Sequence, residues 1–258
     1  MTILLVGCGR MGSALARGWA GRRRVLVLDP MARDLPEGTE RIPTLDGIEA
    51  ADELTVVLAV KPQVFGSVAQ DLRALAARDA LFVSIMAGIT LGGLSDALGS
   101  TRVIRAMPNT PAAIGRGITA AVTARDCRTD DVATADALLF PTGPVVWLDD
   151  EDQIDAVTAL SGSGPAYYFR FTEALAAAGA AAGLPAGLAM QLARTTFTGA
   201  AALAEADLTP LAELRRQVTS PAGTTAAGLA AMEAENAIDR LACAIIDSAA
   251  ERSRQLAG

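Results

Sequence analysis

A short segment in the second half of the chain, residues 218–225 with the sequence VTSPAGTT, has the composition of a small-anion site. It holds four side-chain hydroxyls, a proline that stiffens the backbone, and Gly223, which lets a ligand approach the main chain closely. Helix-forming sequence follows from about Thr224, and the N–H groups of a first helical turn attract anions. A carboxylate suits such a site, although an ordinary turn capped by Ser or Thr has the same composition.

A glycine-rich turn follows the first apolar run of the chain. Its sequence GCGRMG, residues 7–12, fits the pattern G-x-G-x-x-G, with a strand-like run before it and helix-forming residues 13–20 after it. Gly7 permits the tight turn, Gly9 lets the backbone approach a pyrophosphate, and Gly12 allows a helix to pack on a strand. Glycines also occur in plain strand-to-helix turns, so the alternation of strands and helices around the motif is what favours dinucleotide binding.

Two charged residues end strand-like runs and could face a dinucleotide. Asp29 lies about 20 residues beyond the glycines, where a carboxylate accepts hydrogen bonds from the adenosine ribose of NAD. Arg33 and the arginine run 22–24 could instead counter a 2′-phosphate, so both NADH and NADPH stay open as cofactors. Lys61, in the segment 59–63 (AVKPQ), could face the nicotinamide, and a surface charge is the alternative interpretation.

Composition excludes several classes of function. The chain has 258 residues, 51% of them hydrophobic, which suffices for one large domain or two. Its formal net charge of -7 argues against nucleic acid and against anionic membrane surfaces as partners. The absence of histidine excludes imidazole catalysis and the usual zinc sites, and no metal site is expected. Three scattered cysteines and an apolar start that is strand-like, not leader-like, favour the cytoplasm.

The order of elements predicts an α/β fold. Apolar runs that alternate with helical segments predict strands of a parallel sheet at residues 2–6, 25–28, 55–60, 81–85 and 102–106, with two further strands at 117–122 and 144–147. Beyond about residue 152 the composition predicts helices at 153–160, 166–183, 186–206, 211–218 and 225–256. We therefore expect an N-terminal Rossmann domain, residues 1–150, with a parallel-rich sheet, followed by an all-α dimerisation domain, residues 151–258.

Two further stretches need an interpretation. Residues 174–193 carry no charge, but they are mainly small residues interrupted by Pro185, which favours closely packed helices over a membrane span. The acidic run 149–152 (DDED) is expected to lie on a solvated face as the partner of a helix dipole. We expect neither stretch to take part in catalysis or ligand binding.

Five motifs, in order, resemble those of the pyrroline-5-carboxylate reductase family over nearly the whole chain. They are residues 6–12 (VGCGRMG), 59–63 (AVKPQ), 105–111 (RAMPNTP), 159–167 (ALSGSGPAY) and 218–225 (VTSPAGTT). In the last motif the family usually has glycine where this chain has Ala222. The resemblance implies reduction of the imine carbon of 1-pyrroline-5-carboxylate by NADPH or NADH, giving L-proline.

The resemblance also implies the residues of the site. Ser220, Gly223 and Thr224 would hold the substrate carboxylate and the Thr225 hydroxyl would contact the ring nitrogen, so Thr225 and Lys61 are the candidate catalytic residues. Together with Gly12 and Asp29, the residues expected to bind the dinucleotide are Val6, Gly7, Cys8, Gly9, Arg10, Met11, Ala59, Val60, Lys61, Pro62, Met86, Ala87 and Gly88. By the same resemblance the helical domain would interlock with that of a second copy in a homodimer, often within a larger ring.

Two other functions stay open. One is an NAD(P)H-dependent reductase of another small imino or keto acid, although such relatives tend to use a lysine in the second domain and Lys61 is the only lysine here. The other is a dinucleotide sensor without turnover, which only the unusual Ala222 favours. An imine reductase needs no histidine, because a protonated imine is already electrophilic and mainly needs to be positioned.

Overall fold

The computed structural model of the chain describes residues 1–48 and 53–257, and the chain divides into two compact units. The first unit comprises Met1–Ser163 together with Ser248–Gly258, and the second comprises Gly164–Asp247. The chain therefore returns to the first unit at its C-terminal end. The domain boundary near residue 150 stays a prediction.

A mostly parallel sheet forms the centre of the first unit. Its strands are β1 (Thr2–Val6), β2 (Arg24–Leu28), β3 (Glu40–Arg41), β4 (Leu54–Leu58), β5 (Leu81–Ser84), β6 (Val103–Met107), β7 (Thr119–Thr123) and β8 (Val145–Trp147). The order is β3-β2-β1-β4-β5-β6-β7-β8, and only the β6–β7 pair is antiparallel. This confirms the predicted Rossmann-type sheet. The sequence analysis missed β3, because a strand of two residues shows no periodicity.

Helices cover both faces of this sheet. They are α1 (Arg10–Trp19), α2 (Pro62–Ala76), α3 (Leu91–Leu98), α4 (Thr129–Leu139) and α5 (Gln153–Val157), and a π-helical turn, Thr158–Gly162, follows α5. The strands are apolar on both sides because one face packs on Phe65, Leu72 and Leu94 and the other on Leu15 and Leu138. The two layers fix where each strand ends, and hence where the loops that carry the site begin.

The second unit is entirely helical in its described residues. It contains α6 (Gly164–Ala181), α7 (Ala186–Ala206), α8 (Leu211–Gln217), α9 (Thr224–Glu233) and the first part of α10 (Ala237–Ala257). The prediction of one helix over 225–256 was wrong, because Glu235 and Asn236 adopt φ values of 52° and 54° and separate α9 from α10. The helix-forming composition runs through the break, so only backbone geometry reveals it. No helix within residues 1–48 and 53–257 has the length and apolarity needed to cross a membrane.

The acidic run contains one residue that is not solvated. Glu151 accepts hydrogen bonds from Arg105 Nη1 at 2.6 Å and from the Leu91 backbone N–H at 2.7 Å. Arg105 lies on β6 and is only 3% exposed, so Glu151 balances a buried charge. The expectation of a wholly solvated run was wrong for this residue, because its partner lies 46 residues away in sequence.

Candidate active site

The glycine turn brings two neighbouring strands close together. Gly7 has φ +91°, and a Cβ atom on it would lie 2.8 Å from the Ala59 carbonyl oxygen, so only glycine fits where β1 and β4 end. A Cβ on Gly12 would lie 2.4 Å from the Gly7 oxygen, which explains the third glycine of the motif. Both positions need glycine because backbone meets backbone there.

The same turn leaves room for a ligand at the start of α1. Gly9 precedes α1 without a side-chain cap, and a Cβ on it would meet no atom within 4 Å. The first N–H groups of a helix that lacks a cap are free to bind an anion such as a pyrophosphate. Arg10 and Gly9 are exposed, Met11 is half-buried and Cys8 is buried, so the backbone forms most of this surface. The geometry therefore fits a dinucleotide.

The other residues expected to bind the dinucleotide follow β4 and β5. The parallel register pairs Val6 with Leu58 and Leu58 with Ser84, which aligns the carboxyl ends of β1, β4 and β5 at one edge of the sheet. Ala59, Val60 and Pro62 are half-buried there, Lys61 is exposed at the start of α2, Met86 and Gly88 are buried, and Ala87 is exposed. Ligands of open α/β sheets bind at this edge.

Asp29 lies against the glycine turn. Its Oδ2 accepts the Cys8 backbone N–H at 2.6 Å, while its Oδ1 accepts those of Met31 and Ala32 at 2.8 and 3.1 Å. Sequence reasoning missed Arg41 on β3, which donates to the carbonyl oxygens of Asp29 and Ala32 at 2.9 and 2.6 Å. Arg41 belongs to the unrecognised short strand, so no motif singled it out.

Asn109 and Ser161, which follow β6 and α5 in the chain, form a pair to which the sequence analysis gave no role. The Asn109 side chain accepts the Ile118 N–H at 3.0 Å and donates to the Ser161 hydroxyl at 3.2 Å. Ser161 belongs to the π-helical turn, a rare geometry that often marks functional sites. Both residues occur in the motifs 105–111 and 159–167, so the resemblance contained the signal.

In the second unit, the segment 218–225 forms a closed turn followed by a helix. The Gly223 N–H donates to the Ser220 carbonyl oxygen at 3.1 Å, and Ala222 has φ 57°, the pattern of a type II turn with Pro221 at its second position. No side chain caps α9, which begins at Thr224, directly after this turn. The N-terminus of α9 is thus available to an anion.

Three groups of the first unit with shifted pKa values, Arg102, Cys127 and Asp131, lie at the opposite, amino edge of the sheet. Burial raises the pKa of Asp131, but hydrogen bonds from Arg102 and from the Arg128 backbone outweigh it, so the pKa is lowered. Arg102 also pairs with Asp79, as Arg128 does at 2.8 Å. Burial raises the pKa of the nearby Cys127 thiol to about 11. This cluster is an ion-pair network that ties β6 to α4.

Comparisons with known proteins match both halves of the chain. The family described as pyrroline-5-carboxylate reductase dimerisation matches residues 151–256, and the one described as NADP oxidoreductase coenzyme F420-dependent matches residues 2–88. Pyrroline-5-carboxylate reductase from Pseudomonas aeruginosa is 38% identical over 270 residues, covering 99% of this chain and 96% of that protein. The chain belongs to the pyrroline-5-carboxylate reductase family. The enzyme of that name from Pisum sativum is also 38% identical, with the same coverage.

Solved structures of pyrroline-5-carboxylate reductases share the fold. The structure from Coxiella burnetii has a TM-score of 0.90 at 30% identity and covers 99% of this chain and 98% of its own. The structure from Plasmodium falciparum, which has NADP bound, has a TM-score of 0.81 at 27% identity and covers both chains fully. The combination of a Rossmann domain and a helical dimerisation region is therefore confirmed, as is the use of NAD(P)H.

The helical unit presents the apolar surface that a pyrroline-5-carboxylate reductase dimerisation region needs. A groove of about 490 Å³ lies between α6 and α7, lined by residues such as Phe171, Leu175 and Leu192. Tyr168 stacks on Phe197 there, with ring centroids 6.0 Å apart. Large apolar residues exposed in this number mark an interface, which agrees with self-association.

Proposed function

We propose that this protein reduces 1-pyrroline-5-carboxylate at its imine carbon and releases L-proline. The observation that carries the proposal is the uncapped N-terminus of α9 behind a rigid four-residue turn, in a chain that also has a glycine turn fit for a dinucleotide. The first suits a small carboxylate and the second suits NADPH or NADH. Both occur in a chain without histidine, and the reduction of an imine needs none.

The substrate carboxylate binds at the start of α9. Backbone N–H groups of the first helical turn and the Ser220 and Thr224 hydroxyls are donors of the type a carboxylate requires. Gly223 leaves the main chain open to the anion, and a Cβ atom there would lie 2.3 Å from Ser220 Oγ, one of the two hydroxyls of the site. In a chain of net charge -7, this site attracts the anion through oriented dipoles and not through net charge.

Positioning accounts for most of the catalysis. NAD(P)H supplies the hydride when it is bound along the glycine turn and the loops after β4 and β5. The Thr225 hydroxyl accepts a hydrogen bond from the ring nitrogen and orients the imine as the nitrogen loses its positive charge. Lys61, exposed at the start of α2, would help to orient the dinucleotide.

The assembly and the compartment are parts of the same proposal. Residues 1–150 form the dinucleotide-binding domain and residues 151–258 the dimerisation and substrate domain. Two copies interlock through their helical domains, and dimers can associate into a ring. The protein acts in the cytoplasm, which the unpaired cysteines support because no disulfide framework is present in the sequence.

The test is the oxidation of NADH and NADPH on mixing with 1-pyrroline-5-carboxylate, followed by absorbance. Thr225→Val should lower turnover by roughly tenfold to a hundredfold, since a hydrogen bond used in the transition state is lost, and Thr225→Ser should restore most of it. Dinucleotide affinity should stay unchanged in both variants. Unchanged turnover in Thr225→Val would remove this residue from the mechanism, and binding of NAD(P)H without oxidation would favour the sensor.

A further inference from the structure

The C-terminal end of α10 packs on the first unit, to which the residues from Ser248 onward belong. Ala250 and Ser253 are 8% and 7% exposed there, whereas the two residues between them are exposed. Residues three apart share one face of a helix, so this face is the buried one. A buried serine needs a hydrogen-bond partner, and the Ser253 hydroxyl donates to Asp155 Oδ1 on α5 at 2.6 Å. This bond anchors the helix end.

Nearly one helical turn further on, the main chain of α10 meets the turn after β5, residues 86–88. Gly88 has φ +73°, and a Cβ atom on it would lie 2.9 Å from the Leu256 carbonyl oxygen. Backbone therefore lies against backbone, which only glycine permits at this position. Three residues of helix rise by about 4.5 Å, so the Ser253 anchor lies close enough to fix how near Leu256 comes to Gly88.

The turn at 86–88 is also held before and after this contact. The Met86 N–H donates to the Ser84 hydroxyl at 3.3 Å, and the Leu91 N–H donates to Glu151 at 2.7 Å. Ala87 is exposed between these two points, which leaves it available to a ligand. The helix end thus adds a third support, directly beside the residue that can contact a dinucleotide.

We infer that the end of α10 positions the turn at 86–88 for the dinucleotide, and that Ser253 and Asp155 are the positioning residues that hold the helix end in place. The inference rests on the proposed binding of NAD(P)H along this turn. The two side chains act on the dinucleotide indirectly, through the contact of the Leu256 main chain with Gly88. Dinucleotide binding and the packing of the helix end are therefore linked, and each must favour the other.

Titration of the full-length protein with NADH or NADPH, without imine and followed by fluorescence, tests the positioning residues. Ser253→Ala should raise the dissociation constant of the dinucleotide by roughly threefold to tenfold, the range expected for one lost hydrogen bond. Asp155→Ala should have the same effect, whereas Asp155→Asn should retain most of the affinity because its amide oxygen still accepts the serine hydroxyl. Ser248→Ala, exposed on the same helix, is the matched control and should bind as the wild type does.

A double-mutant cycle tests the contact at Gly88. Gly88→Ala places a Cβ atom against the Leu256 carbonyl oxygen and should weaken dinucleotide binding. In the Ser253→Ala background the helix end can withdraw, so the additional effect of Gly88→Ala should be smaller than in the wild type. The strain of alanine at this φ is common to both backgrounds and cancels. An equal or larger additional effect overturns the inference.

Hydrogen exchange gives a readout that a purely structural role would not move. Saturation with dinucleotide should slow the exchange of amides 250–256 in the wild type, because binding then stabilises the helix end. This measurement decides the question even if Ser253→Ala does not fold. Unchanged exchange of these amides overturns the inference, as does a Ser253→Ala protein with a lower Tm and an unchanged dissociation constant.

The inference and the proposed function fail in different ways. If the wild type reduces the imine but Ser253→Ala binds the dinucleotide as tightly as the wild type, the reductase stands and the inference is removed. Weaker dinucleotide binding in Ser253→Ala, with no reduction of the imine by the wild type, does the reverse. Binding of neither NADH nor NADPH by the wild type removes both.

Discussion

Removal of the Glu151 carboxylate should destabilise the first unit strongly, because it leaves a buried guanidinium without a counter-charge. Arg105 is 3% exposed, its Nη1 lies 2.6 Å from Glu151 Oε1, and its Nε has no hydrogen-bond partner among the described residues. Breaking a buried ion pair from one side costs about 3–5 kcal/mol, and the Leu91 N–H loses its acceptor as well. The Glu151 side chain is 25% exposed, so water partly screens the pair and we expect a loss of about 2–4 kcal/mol in Glu151→Ala.

Thermal unfolding at fixed protein concentration measures this loss. For a protein of this size the Tm falls by about 2–4 °C for each kcal/mol, so Glu151→Ala should unfold roughly 4–16 °C below the wild type. Asp152→Ala, an exposed acid of the same run, is the matched control and should shift the Tm by no more than about 2 °C. Adding Arg105→Met to Glu151→Ala should recover part of the loss, since the unpaired charge is removed. If Glu151→Ala has the same Tm as the control, the Glu151–Arg105 ion pair does not stabilise the fold as proposed.

Three other predictions follow from local geometry. Because the pKa of Asp131 is lowered in the folded state, the stabilisation by its carboxylate is present above the unfolded-state pKa of about 4 and is lost as the pH falls through the folded value. Denaturant titrations of Asp131→Asn should therefore show a loss of about 2 kcal/mol at pH 7 relative to the wild type, and this difference should disappear in acid. The exposed Asp130→Asn is the control. Ala222→Gly should relieve about 1 kcal/mol of strain at φ 57° while adding a similar entropy to the unfolded chain, so stability should change by less than about 1 kcal/mol in the same titrations; a larger change of either sign would contradict the turn geometry. Cys127, whose pKa burial raises to about 11, should be alkylated by iodoacetamide at pH 8 far more slowly in the folded protein than in denaturant, and equal rates would show that the thiol is accessible.

Sequence and structure agree best where a pattern is local. The strand Thr2–Val6 and the helix Ala186–Ala206 have the predicted bounds, because apolar runs and helix-forming composition are properties of neighbouring residues. The glycine turn was predictable because its spacing is a local pattern, although the contact of Gly7 with the Ala59 carbonyl oxygen is visible only in the structure. The break at Glu235 was not, since a residue in the left-handed region leaves no compositional trace in an Ala-rich segment.

The sequence by itself determined the fold class, the two candidate binding segments and the exclusion of imidazole chemistry. Only the tertiary structure decided which distant side chains meet, because such contacts depend on the order of strands in the sheet. Arg41 reaches the turn after β2 because β3 pairs beside that strand, and Glu151 reaches Arg105 because the chain returns across the end of β6 after β8. No sequence pattern predicts either contact. Both depend on burial and charge at positions that come together only when the sheet has formed.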